Sequence, residues 1–403
     1  MKANLVAIKD CVVKAKTWNP VVEAKDENIT YIDIAAVDKD LKKIVEPTLC
    51  LGEEAPSRAR QLVQTNDVLV STVRPNLGGV AVVTEEFSGA TASTGYTVLR
   101  PLPEVLDTQY LFHWVKTGHF INEMIKLATG QSYPAVSDKI ILNSKIPLPP
   151  LSEQRRIASI LDQADELRQK RQQAIEKLDQ LLQATFIDMF GDPIDNLKGL
   201  ETVALLDLCK KITDGTHQSP KWTTEGIPFL FISNIVDGEI DYSSQKFIDQ
   251  VTYDSLTKST KIELNDILYT TVGSYGNVAR VKSNQLFCFQ RHIAHIKPNF
   301  DKVNPKFLEK MLSSYGVRRQ ADRLVRGVAQ KTLNLKDLKE IIVFNISLDE
   351  QNYFVQKCEV IESLKIKSKL ALNQADDLFK SLQNQAFNGT LFENLRYKDS
   401  YEI

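Results

Sequence analysis

From Ser152 to Phe190 the chain holds no Pro or Gly, and Leu, Ala, Gln, Glu and Arg dominate, which predicts one long helix. Its apolar positions step by alternating fours and threes through Ile157, Leu161, Ala164, Arg168, Arg171, Ile175, Leu178, Leu182, Thr185 and Met189, the spacing a coiled-coil seam needs. A second stretch, from about Asp349 to Phe387, repeats the pattern in the same phase through Phe354, Cys358, Ile361, Lys365, Ser368, Leu372, Ala375, Phe379, Leu382 and Ala386. At about 1.5 Å per residue each helix is roughly 57 Å long. Both seams turn polar in the middle, at Arg168/Arg171 and Lys365/Ser368, and an antiparallel pair would bring those centres together and fix its register there. The segments before each helix read differently. Short β-branched runs (Asp67–Val73, Val80–Val83, Asp266–Val272, Ile293–Ile296) are punctuated by Gly, Pro and Asn, and a helical stretch follows in each, near Thr108–Leu127 and Pro305–Val325.

The chain is an internal repeat. At an offset of 197, VAIKD at 6–10 meets VALLD at 203–207, Arg100-Pro101 meets Lys297-Pro298, Gly130 meets Gly327, and LSEQ at 151–154 meets LDEQ at 348–351; NDVLVSTV at 66–73 meets NDILYTTV at 265–272 after a two-residue insertion. An α+β fold follows, with a pseudo-two-fold repeat. Two mixed α/β domains, residues 1–150 and 197–347, alternate with two long helices, at 151–196 and, with a C-terminal tail, 348–403, and the helices are expected to pair as a coiled coil.

Composition narrows the class. Of 403 residues 43% are hydrophobic and 25% charged, as in globular proteins, and disorder, collagen-like and disulfide-scaffold classes are excluded. The formal charge of −1 means that any nucleic-acid role must use local basic patches. Five scattered cysteines, with no CxxC or zinc-knuckle spacing, suit reduced thiols. MKANLVAIKD has no apolar h-region and no stretch is long enough to span a bilayer, so a soluble cytoplasmic protein is expected.

Motifs for chemistry are missing. The sequence has neither GxxxxGK[ST] nor a GxGxxG after a strand, and no [ND]PP[YFW] tetrapeptide of the kind amino-methyltransferases use. His292 and His295, three apart on a strand, would face opposite ways and not share a metal. Asp214 and His217 resemble a catalytic dyad, but the first repeat has Lys16–Pro20 there with neither residue. No catalytic, cofactor-binding or metal residue is assigned.

The loops instead carry residue types that read nucleic acid. Arg58, Arg60, Arg74 and Asn76, with Gln131, Ser132 and Tyr133, are the candidates in the first repeat. The second offers Thr216, His217, Gln218 and Lys221 beside Trp222, then Ser274, Tyr275, Asn277, Arg291, His292, Arg326, Gln330 and Lys331. Arg, Lys, Asn and Gln supply paired hydrogen bonds to base edges, and Ser, Thr and backbone N–H groups hold phosphates. Arg318, Arg319, Arg323, Arg326 and Lys331 read as a local basic face. Where the repeats agree they agree at scaffold residues. Where they differ the differences fall in loops: Arg74-Pro75-Asn76 against Gly273-Ser274-Tyr275, Thr94-Gly95 against Arg291-His292, and Ser132-Tyr133-Pro134 against Ala329-Gln330-Lys331. Equal scaffolds with unequal loops suit two reading heads for two different short sequences, and a strut of roughly 57 Å suits sites about one to one and a half DNA turns apart.

The order of domains and three runs resemble the specificity subunits of type I restriction–modification systems. The runs are IPLPPLSEQRRIASILDQADELRQKR at 146–171, TDGTHQSPKW at 213–222 and FISNIVDGEI at 231–240; the second repeat keeps Leu348, Glu350 and Gln351 but not the Arg-Arg-Ile of the first. The resemblance implies a non-catalytic, double-stranded-DNA-binding subunit whose two target-recognition domains each read half of a bipartite, asymmetric site. It implies that the two long helices pair as an antiparallel coiled coil, and that two methyltransferase subunits, using S-adenosylmethionine, dock partly on them. Motor–nuclease subunits, using ATP and Mg²⁺, would join them, with no cofactor in this chain. A standalone DNA-binding regulator and a coiled-coil adaptor between proteins are the alternatives the residues themselves leave open.

Overall fold

The structure is a computed structural model and describes residues 4–259, 261–327 and 330–391. It divides into two units: Met1–Arg171 with Leu370–Ile403, and Gln172–Lys369.

In the first unit an antiparallel sheet runs in the order Val12–Lys14, Tyr96–Pro101, Val68–Ser71, Val80–Val82. Its central strand is buried on both faces, which is why the sequence reads as an unbroken apolar run and not as an alternation. Val68 and Val70 face a core with Tyr110, Trp114 and Phe120, whereas Leu69 faces a second core with Ile32, Val63 and Ala92, following the two-residue period of a strand. That second core is closed by another sheet, ordered Thr48–Leu51, Asn28–Ile32, Thr91–Ser93, Ala59–Leu62.

The second unit repeats the first sheet strand for strand, as Cys209–Asp214, Ile293–Pro298, Ile267–Thr270, Val278–Arg280. Its second sheet has three strands among the described residues, Phe247–Ile248, Ile227–Leu230 and Cys288–Phe289.

The matching NDVL and NDIL runs now have a physical reason. Asn66 and Asn265 take left-handed backbone at φ 73 and 74, a conformation asparagine tolerates better than most residues. The next residue turns inward. Asp67 accepts from the Gln64 N–H at 2.8 Å and pairs with Arg100 at 2.8 Å; Asp266 accepts from the Glu263 N–H at 2.8 Å and meets His295 at 2.6 Å and Lys297 at 2.9 Å. His295 is therefore a buried structural partner, while His292 lies at the loop edge.

Each expected helical stretch after the strands is two helices. Thr108–Val115 and Gly118–Leu127 are separated because the Thr117 side chain caps the second by accepting from the Phe120 N–H; Pro305–Leu312 and Tyr315–Leu324 part at the equivalent cap, Ser314.

The long helices span Leu151–Phe190 and Leu348–Asn388, and each is followed by a left-handed glycine, Gly191 at φ 84 and Gly389 at φ 78. Their pairing is antiparallel within each unit. In the first, Ile157 and Leu161 share a core with Phe379 and Ala386; in the second, Phe186 and Phe190 pack edge-on against Phe354. Arg168 donates to Asp376 at 2.5 Å in the first unit, and Lys365 donates to Asp179 in the second. Residue numbers in both pairs sum to 544, and 168 with 365 and 179 with 376 are each 197 apart. The polar seam positions thus hold one register in both units, though not by meeting each other as the sequence suggested. Each cation faces an aspartate of the other helix. Arg171 is exposed and takes no place in the seam.

Candidate nucleic-acid interface

Three loops converge in each unit on the same backbone frame. In the first, Thr72 N–H donates to Gly95 O at 2.9 Å, Arg74 N–H to Pro134 O at 2.7 Å, Val136 N–H to Thr72 O at 2.9 Å, and Thr94 N–H to Arg58 O at 2.9 Å. In the second, Thr271 N–H donates to His292 O at 2.9 Å, Gly273 N–H to Lys331 O at 2.9 Å, Leu333 N–H to Thr271 O at 2.8 Å, and Arg291 N–H to Thr216 O at 3.0 Å. The third loop is a hairpin tip closed by Thr129 and Ala135 in one unit and by Arg326 and Thr332 in the other. Gly130 and Gly327 start the tip at φ 101 and 98, and a Cβ on either would crowd a carbonyl, that of Tyr133 or Gln330.

On this frame the first unit presents Arg58, Thr94, Arg74, Asn76, Gln131, Ser132 and Tyr133, all exposed. The Arg74 guanidinium lies 4.5 Å over the Tyr133 ring. Asn76 rides a short turn, Pro75–Leu77, whose end is held by Lys42 Nζ donating to Gly78 O at 2.6 Å; burial, and next the charge of Lys116, hold the Lys42 ammonium below the usual lysine range. Arg60 lies apart from the group, half-buried, with its guanidinium on the Ala59 carbonyl.

In the second unit the frame carries Thr216, Ser274, Arg291, His292, Gln330 and Lys331. Thr216 turns its hydroxyl to Gln218 O at 2.9 Å, and exposed His217 meets Asp214 at 3.0 Å. Arg291 donates to His292 Nε2 at 3.4 Å; burial, then the Arg291 charge, lower the His292 pKa and favour the neutral ring. Lys221 and Gln218 are exposed, and Lys246 lies 5.6 Å over Trp222.

Two residues expected at the surface point inward. Tyr275 is buried, its hydroxyl donating to Asp322 at 2.7 Å and its ring covered by Arg318 at 4.3 Å. Asn277 spends its amide on Ile235 O at 3.1 Å. The basic face is smaller than the sequence implied, because Arg318 pairs with Asp322, Arg319 with Asp195 at 2.7 Å, and Arg326 lies 3.7 Å from Asp337. Arg323, Gln330 and Lys331 remain exposed.

A pair of glutamines that residue types did not single out anchors each long helix to its own domain. Gln154 donates to Val105 O at 3.0 Å and Pro149 O at 2.9 Å and accepts from Asp107 N–H at 2.9 Å. Gln351 donates to Lys302 O at 3.0 Å and Ile346 O at 2.7 Å and accepts from Asn304 N–H at 2.7 Å. The retained Gln of LSEQ and LDEQ was the signal that could have found them.

Among the described residues no group of three or more His, Cys, Asp or Glu is placed to hold a metal ion, and no helix is long and apolar enough to cross a membrane. Burial pushes the thiols of Cys209 and Cys288 up to about 12 and that of Cys358 to about 11, which disfavours the reactive thiolate. What the loops can do is donate: guanidinium, ammonium, amide and hydroxyl groups on a fixed backbone suit base edges and phosphate oxygens.

A repeated frame with cation-bearing, unequal loops has the chemistry to meet two different stretches of nucleic acid. Comparisons with known proteins agree. The family described as "Type I restriction modification DNA specificity domain" matches residues 22–177. The EcoBI specificity subunit of Escherichia coli is 29% identical over 286 residues, 64% of this chain and 60% of that protein. The MjaVIII specificity subunit of Methanocaldococcus jannaschii is 24% identical over 360 residues, covering 83% and 82%. A solved structure described under "complex assembly and conformational transition of the type I R-M system" superposes with a TM-score of 0.63 at 25% identity, over 97% of this chain and 98% of that one. Residues 22–177 thus match the type I restriction–modification DNA specificity domain, and the chain shares the fold of that solved type I R-M structure over nearly its whole length.

Proposed function

We propose that this chain is the non-catalytic DNA-reading subunit of a type I restriction–modification complex, and that its two units read the two halves of a split, asymmetric target. The observation that supports this is the identity of the backbone frame in the two units beside the difference in what it carries: Arg74, Tyr133 and Thr94 in one, Gly273, Gln330 and Arg291 in the other. One frame with two loop sets reads two sequences in one manner. The long helices set the spacer between the two half-sites. They also dock two methyltransferase subunits, which would bring S-adenosylmethionine and methylate adenine, while motor–nuclease subunits would bring ATP and Mg²⁺ chemistry. This chain's own work is then binding and positioning.

Methylation mapping by single-molecule sequencing tests the proposal. The chain is co-expressed with its cognate methyltransferase subunit in a host without other adenine methylation. One split, asymmetric adenine-methylated motif that vanishes without this chain is the expected result. An active methyltransferase whose motif is indifferent to the chain would overturn the proposal in favour of a regulator or adaptor.

A further inference from the structure

Arg74 combines three features that occur together at no other described arginine. Its backbone is left-handed at φ 49, a conformation L-residues other than Gly, Asn and Asp rarely adopt, and the equivalent residue of the second unit is Gly273 at φ 67. A position that suits glycine has therefore been given to a large cation, as strained residues at binding sites often are. The turn beneath it is fixed at both ends: Arg74 N–H donates to Pro134 O at 2.7 Å, Leu77 N–H to Arg74 O at 2.9 Å, and Lys42 Nζ to Gly78 O at 2.6 Å. Finally, the guanidinium carbon lies 4.5 Å over the ring of Tyr133, which is itself 67% exposed.

The stack leaves the N–H fork unspent. Arg100, Arg280 and Arg319 each commit theirs to a carboxylate, whereas among the described residues no carboxylate pairs with Arg74. An aromatic face holds a guanidinium by its plane and leaves its edge outward. That edge matches the O6 and N7 acceptors of guanine in the major groove, a pairing in which one planar fork makes two hydrogen bonds. A phosphate contact would not need a strained backbone or a planar stack, since a flexible cation serves it as well.

We propose that Arg74 is the guanine-reading residue of the first unit, and that Tyr133 is the positioning residue that holds its fork in the reading plane. This rests on the specificity reading given above. Arg74→Gly suits the left-handed turn, so its thermal midpoint by circular dichroism is expected at or above that of the parent chain. Co-expressed with the methyltransferase subunit, Arg74→Gly and Arg74→Lys are both expected to lose discrimination by roughly 10- to 100-fold at a single G·C pair of one half-site, with the other half-site unchanged. Arg74→Lys keeps the charge and loses the fork, so it separates base reading from phosphate attraction. Tyr133→Leu is expected to relax the same pair to a smaller extent, and Tyr133→Phe to behave as the parent. An unchanged motif in Arg74→Gly, or uniform weakening at all positions with full restoration by Arg74→Lys, overturns the proposal while leaving the specificity reading intact. A parent chain that directs no motif overturns the specificity reading itself.

Discussion

Replacing Gln154 with Leu tests whether one side chain fastens the recognition domain to its helix. Gln154 is fully buried and makes three hydrogen bonds to backbone groups of two segments, Val105–Asp107 and Pro149. Leucine fills most of the volume but leaves two carbonyls and one N–H without their partner. Each unsatisfied buried group costs about 1–3 kcal/mol, so the loss is at least about 3 kcal/mol. Glutamate separates shape from chemistry, because it can accept from Asp107 N–H but, when ionised, repels both carbonyls. The neutral acid can donate one bond, which raises the folded-state pKa above the unfolded value. The folded state then binds more protons, so Gln154→Glu should gain stability as pH falls from 7 to 5. Urea denaturation gives the stability, and amide exchange across residues 103–110 reports the local weld. Gln154→Leu within 0.5 kcal/mol of the parent (about the scatter of a neutral substitution), with unchanged exchange, would show that Gln154 does not fasten the domain to the helix.

Asp67→Ala should cost about 3–5 kcal/mol in denaturant unfolding, because it strands the largely buried Arg100 that Asp67 now neutralises; a loss under 1 kcal/mol would count against that. His113 is buried, with Nε2 2.7 Å from Asp162; burial first, and the nearby Lys116 charge, lower its pKa against the raising effect of Asp162. The unfolded state therefore binds more protons below about 6.5, so stability should be full above that pH and fall as pH drops below it. His113→Gln should flatten this slope between pH 7 and 5.5, read as urea midpoints. Reversing Asp179 and Lys365 together should restore whatever Lys365→Asp alone loses, a loss of about 1 kcal/mol for a partly exposed pair; no recovery in the double variant would deny the pair its register role.

Much of this architecture was legible because periodicity and repetition are properties of a sequence. The long helices and their shared seam followed from spacing, the variable loops from comparing the repeats, and the antiparallel pairing from the family resemblance. The reasons behind individual matches did not. LSEQ and LDEQ marked a repeat, but only the structure shows Gln154 and Gln351 bonding to carbonyls nearly fifty residues upstream. Tyr275 reads as a loop residue because its inward turn depends on Asp322 and Arg318 on a later helix. Arg319 reads as a free cation because its acid, Asp195, is 124 residues away in sequence. Residue type gives the chemistry a loop can offer; which side chains are spent within the fold is decided by partners far along the chain.

The most direct test of two independent reading heads is a loop replacement read by methylation mapping. Residues 74–77, 94–95 and 131–134 of the first unit would take the loops of another specificity subunit, on the unchanged frame of Thr72, Gly130 and Val136. The expected result is a split motif in which one half-site is new, the other half-site is the original and the spacer is unchanged. A motif altered in both halves, or in neither, would contradict it.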